Sequence, residues 1–195
     1  RLGNIMIKKQ RTTKETDISL EIEIYGSGNS DIDTGIGFFD HMLTALAKHS
    51  LMDIKLHCKG DLHIDDHHSV EDCGIVLGQA IKEALYPLGS VERYGNAVVV
   101  MDEAAVECAL DLSNRAFLVY ESQMNPKIGN FDSELVEEFF RALAMNSGIT
   151  LHIIKQRGTN SHHIAEATFK AFAVAFRRAV AKNDKIGIPS TKGVL

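Results

Sequence analysis

At 195 residues, 45% of them hydrophobic and 24% charged, the chain has a soluble globular composition and enough length for a substantial core, as one domain or as two halves. A net charge of −5 argues against nucleic acid as the main partner, because phosphate-backbone binding relies on a basic surface, although local cations can still hold a small phosphate. The apolar runs are too short for a membrane span, the N-terminus lacks the pattern of a signal peptide, and Cys58, Cys73 and Cys108 form no paired motif, so a cytoplasmic protein with free buried thiols is expected.

The predicted elements come in two similar sets. Residues 5–10 read as a strand, and residues 18–25 alternate strictly between apolar and polar, the mark of a half-buried strand. A Gly-Ser-Gly-Asn turn follows at 26–29. Gly35 and Gly37 then permit a tight entry into a helix with an apolar stripe at Phe39, Met42, Leu43 and Leu46, and His41 lies beside that stripe. Residues 51–58 alternate again, 59–61 turn, and 62–64 read as a short strand delivering the chain into a helix that starts near His67 and is stopped by Pro87. In the second set, 97–101, 106–112 and 116–120 read as strands, 135–145 as an amphipathic helix and 149–154 as a strand. A long helix follows, with residues 164, 168, 171, 172, 175 and 179, apolar except Thr168, at helical spacing and its end near Lys182. The repetition predicts an α+β fold of internally duplicated halves, 1–92 and 93–195, each a mainly antiparallel sheet with two helices on one face, packed as one unit.

One motif occurs at the start of both long helices: His67-His68-Ser69-Val70-Glu71 and His162-His163-Ile164-Ala165-Glu166. Residues three and four apart share a helix face, so each Glu can lie beside both histidines of its pair. Imidazole and carboxylate without thiolate suit Mn, Fe, Zn, Co or Ni rather than a Cys-built zinc site. Adjacent histidines diverge by roughly a hundred degrees around a helix, which favours two metal sites over one. A single pair reads as polar surface at a helix start; two pairs in corresponding places read as metal ligands. A metal hydrolase would carry a built-in base of the His-Glu-x-x-His kind, absent here, and a di-iron carboxylate bundle would need four long helices in place of these strands. A metal-storage shell would need the ligands but no base and no phosphate-binding cations.

Residues 35–43 (Gly-Ile-Gly-Phe-Phe-Asp-His-Met-Leu), Asp65-Asp66-His67-His68 with Glu71-Asp72, Ser161-His162-His163 with Glu166-Ala167, and the tail Pro189-Ser190-Thr191-Lys192-Gly193-Val194 resemble the imidazoleglycerol-phosphate dehydratase family of histidine biosynthesis. The resemblance covers essentially the whole chain. It implies a duplicated fold of the ribosomal S5 second-domain type and conversion of imidazoleglycerol phosphate to imidazole acetol phosphate. It further implies two Mn2+ ions per active site and a 24-mer built of trimers. His41, His67, His68, Glu71, His162, His163 and Glu166 match the family's metal-ligand positions. Where the family often has one more histidine this chain has Glu138, which the internal repeat aligns with His41; it reads either as an oxygen ligand suited to Mn or as a solvated helix Glu. Arg93, Arg115, Ser190 and Lys192 match the phosphate site, Lys170 is a further substrate-binding candidate, and Gly193 lets the tail backbone approach a ligand. Glu15 matches the catalytic, substrate-contacting glutamate. Dehydration removes a hydroxyl from the carbon next to the imidazole ring and a proton from the following carbon, so a base must reach that proton. Histidines 49, 57, 63 and 152 lack a repeated carboxylate partner and read as structural.

Overall fold

The computed structural model describes residues 6–195, so Ile5 of the first predicted strand lies outside the described residues. The first apolar–polar alternation becomes β1 (Met6–Thr12) and β2 (Thr16–Glu23), an antiparallel hairpin in which Ile7, Ile18, Leu20 and Ile22 are buried while Asp17 and Ser19 face solvent. β3 (Ser30–Asp33) and β4 (Asp53–Gly60) run parallel, which demands a crossover, and α1 (Gly37–Ser50) supplies it. The sheet order is β1-β2-β4-β3, with α2 (His67–Leu85) leaving after β4.

The second half repeats this plan. β5 (Tyr94–Met101), β6 (Ala104–Asp111), β7 (Phe117–Glu121) and β10 (Thr150–Arg157) form a sheet of order β5-β6-β10-β7, again with its last pair parallel, joined through α3 (Glu134–Ser147) and followed by α4 (Ser161–Ala179). A small ribbon, β8 (Lys127–Ile128) with β9 (Phe131–Asp132), is inserted between β7 and α3. The fold is therefore α+β with duplicated halves and two helices per sheet.

Each half lays its helices on its own sheet, and the halves meet helix to helix: α2 packs on α3, and α1 packs on α4. The core runs from the inner faces of both sheets into this helical layer. Phe39, Phe139, Phe140, Phe169, Phe172 and Phe176 are fully buried there, with Phe39 edge-on to Phe139 at 5.5 Å and Phe139 stacked on Phe169 at 5.3 Å. Gly74 and Gly78 let α2 approach α3 closely, since an added Cβ would stand 2.8 Å from the Phe139 carbonyl oxygen and 2.7 Å from that of Leu143.

Three differences from the expected elements have local causes. Residues 62–64 form a turn closed by Ile64 N–H donating to the Asp61 carbonyl at 2.9 Å, with Ile64 exposed and no neighbouring strand to pair with. β3 was hidden because Ser-Asp-Ile-Asp has one apolar residue and only one paired edge. The last helix ends at Ala179, and Lys182 instead bridges to Val91. All three cysteines are free and buried, and among the described residues no helix is long and apolar enough to cross a membrane.

Candidate active site

The packing of α1 on α4 sets one cluster of donors. Asn160 caps α4 by accepting from the His163 amide at 3.0 Å, which fixes the first turn that carries His162 and His163. One turn further, Glu166 points back between the helices, where His41 Nε2 lies 2.7 Å and His162 Nε2 3.6 Å from its Oε1. Lys170 Nζ holds the other oxygen at 2.9 Å. Burial alone would push Glu166 up, but Lys170 and His41 together hold its carboxyl below the usual carboxylate range. Phe38 packs edge-on against the His162 ring at 5.3 Å. Among the described residues, His41, His162 and Glu166 are the one group of three or more whose ligand atoms all lie within 4.8 Å of each other.

The repeat-related residues of the other half, Glu138, His67 and Glu71, do not gather in this way. His67 Nε2 lies 3.1 Å from Glu71 Oε2, whereas Glu138 lines a separate pocket of about 450 Å3 beside Tyr120, Ser133 and Glu137.

In both pairs the glutamate reaches the first histidine only. The paired rings stand at 81° for His67 and His68 and 78° for His162 and His163, so the second ring of each meets different partners from the first. His68 Nδ1 meets Asp61 Oδ2 at 2.8 Å, with Glu15 Oε2 at 3.5 Å. His163 Nδ1 meets Glu103 Oε1 at 2.5 Å, with the Asp102 carboxylate 3.6 Å from its Nε2. The hydrogen bond to Asp61 raises His68, and that to Glu103 raises His163. Glu103 is in turn pulled down to about 2 by His163 and by the Asn160 and Thr159 amides.

Glu15 is carried by the β1–β2 turn, where Thr13 Oγ1 accepts from the Glu15 and Thr16 amides at 3.1 and 3.2 Å. The Asp61 amide donates to the Glu15 carbonyl at 3.0 Å, tying this turn to the loop between β4 and α2. The structure thus brings Glu15, His67, His68 and Glu71 to one end of the first half. Asp61, Asp102 and Glu103 were missed in the sequence; the signal that could have found Glu103 is its position immediately before β6, matching Glu15 immediately before β2.

Arg93, Arg115, Ser190 and Lys192 line one open cleft of about 1080 Å3 beside Tyr94 and Asn114. Arg93 is largely engaged by protein: Nε and Nη2 donate to the two Asp111 oxygens at 2.7 and 3.2 Å, and Nη1 donates to the Pro189 carbonyl at 2.7 Å. Arg115 is 65% exposed with its guanidinium 3.8 Å from Asp111, and Lys192 is exposed. Lys170 belongs to the Glu166 cluster and does not line this cleft.

Residues 34–176 match the imidazoleglycerol-phosphate dehydratase family. The chain belongs to this family. Imidazoleglycerol-phosphate dehydratase of Campylobacter fetus subsp. fetus is 79% identical over 97% of the chain and 100% of its own length, and that of Campylobacter hominis is 68% identical over the same shares. The crystal structure of the Staphylococcus aureus dehydratase aligns with a TM-score of 0.84 at 39% identity, covering 92% of this chain and 100% of its own. That of the Pyrococcus furiosus protein gives 0.83 at 38% identity, covering 96% and 100%. As a member of the imidazoleglycerol-phosphate dehydratase family, the chain is a hydro-lyase of histidine biosynthesis.

Proposed function

We propose that the chain dehydrates imidazoleglycerol phosphate to imidazole acetol phosphate with two bound Mn2+ ions and Glu15 as the base. The observation that carries the metal dependence is the convergence of His41 and His162 on the buried, anionic Glu166. Imidazole nitrogen with carboxylate oxygen, and no thiolate, is a donor set that fits Mn2+. His67, His68, Glu71, His163 and Glu138 would supply the remaining ligands. A single chain leaves the α2 cluster sharing no donor with the α4 cluster, which supports a site completed between neighbouring copies in a cytoplasmic 24-mer of trimers.

When bound, the ions would favour the deprotonated form of the substrate's imidazole ring, whose electron density can push hydroxide off the adjoining carbon. Arg115, Lys192 and Ser190 hold the phosphate, while Arg93 fixes the tail that carries Ser190 and Lys192. Lys170 holds Glu166 in its ionised form and is kept as a substrate-binding candidate beside that cluster. A Glu15 carboxylate oxygen takes the proton from the carbon bearing the second hydroxyl; proton and hydroxide leave as water, and the enol so formed becomes the ketone.

The test is turnover of imidazoleglycerol phosphate by protein stripped of metal with a chelator. Activity should vanish and return with Mn2+. Turnover that survives complete stripping would overturn the metal-dependent reading.

A further inference from the structure

The two hairpin glutamates occupy one position of the repeat and are held in opposite ways. Glu15 and Glu103 each stand immediately before the second strand of their sheet, β2 and β6, and each carboxylate faces Nδ1 of the second histidine of its pair. In the second half the arrangement is locked. Glu103 Oε1 meets His163 Nδ1 at 2.5 Å, and Oε2 accepts from the Thr159 and Asn160 amides at 2.8 and 2.9 Å, in the loop that caps α4. Neither oxygen of Glu103 is left to serve as a base.

In the first half the same contact is loose. Glu15 Oε2 stands 3.5 Å from His68 Nδ1, beyond a good hydrogen bond, and its side chain is 52% exposed. A different residue has taken the nitrogen: Asp61 Oδ2, from a side chain only 14% exposed, at 2.8 Å. Asp61 also donates its amide to the Glu15 carbonyl, so one residue holds the imidazole and sets the turn beside it. Its Oδ1 is buried without a hydrogen-bond partner, which leaves this carboxylate aimed at the ring rather than shared with the backbone.

The geometry points to Asp61 and Glu103 as matched positioning residues, each accepting Nδ1–H of the second histidine in its pair so that Nε2 keeps its lone pair for metal, with Glu15 thereby released for proton transfer. An imidazole takes its tautomer from the hydrogen bond its other nitrogen makes, and a carboxylate at Nδ1 both fixes the ring and raises the basicity of Nε2. The inference rests on the proposed role of His68 and His163 as ligands. It adds why a duplicated site has one base instead of two.

The test uses full-length Mn2+-loaded protein and measures Mn2+ affinity by chelator competition alongside turnover. Asp61→Asn and Glu103→Gln, each near-isosteric, should weaken Mn2+ binding by roughly 10- to 100-fold, with kcat recovered at excess Mn2+. Glu15→Gln should bind Mn2+ like the parent and lose kcat at every Mn2+ concentration. Parent-like affinity in both folded variants, or a kcat loss in Glu103→Gln that excess Mn2+ does not restore, overturns the assignment. Should either variant fail to fold, 15N NMR of histidine-labelled parent protein loaded with diamagnetic Zn2+ decides: a proton on Nδ1 of His68 and His163 supports the assignment, and a proton on Nε2 of either overturns it. If His68→Ala and His163→Ala bind Mn2+ like the parent, the underlying metal reading fails, whatever Asp61 and Glu103 do.

Discussion

Arg93 and Arg115 face the same cleft, yet their surroundings assign them different work. Arg93 is tied to Asp111 and to the Pro189 carbonyl, whereas Arg115 is open and only 3.8 Å from the same Asp111 carboxylate, which keeps it near the cleft without occupying its donors. Arg115→Ala or Lys192→Ala should therefore raise KM on the order of ten- to a hundredfold, the loss of one hydrogen bond to a charged group, with kcat nearly kept; steady-state kinetics would show it. Glu15→Gln should do the reverse: kcat falls by roughly 10^2 to 10^4 while KM moves little, since the proposed base would act only in the transition state. A variant with normal kcat and a higher KM would move the base elsewhere. These ligand and base candidates were legible because a repeated His-His-x-x-Glu stands out from surface polarity. Asp61 and Glu103 were not, because a lone carboxylate in a turn is common, and what distinguishes these two is the imidazole that folding brings to them.

At the scale of elements, the α2–α3 contact depends on the absence of two side chains. Gly74→Ala or Gly78→Ala gains about 1 kcal/mol of helix propensity, but the new methyl meets backbone carbonyl oxygens under 3 Å away, which cannot swing aside as a side-chain tip would. Overpacking of this kind costs roughly 1–3 kcal/mol, so each variant should be less stable than the parent in denaturant unfolding, and an unchanged or raised midpoint would contradict the packing described. Phe140→Ala, which opens the aromatic seam against Phe169 and Phe172, should cost more, about 3–5 kcal/mol. The long helices and the alternating strands were readable because burial imposes their period. β3 and the β8–β9 ribbon were not, because four residues at a parallel edge and two-residue strands bury too little to leave a pattern.

For the whole molecule, a metal site completed between copies, as proposed above, would link metal to assembly. Mn2+ should favour the larger oligomer by mass action, so light scattering at matched protein concentration should give a lower mean mass with chelator than with Mn2+. Equal masses would disconnect the two. The fold-level plan was readable from the order of elements; the pairing of helices across the halves was not, because it is a property of apolar faces that every helix here possesses. Exchanging the halves turns α2 on α3 into α4 on α1, so the crossing is two-fold symmetric, and a lone half would show water the very faces its counterpart covers. The polypeptide is laid out as a dimer of like halves carried on one chain. Because each half has its own stretch of sequence, a histidine on one helix and a glutamate on its twin, or a locked and a loose hairpin carboxylate, can be inherited separately.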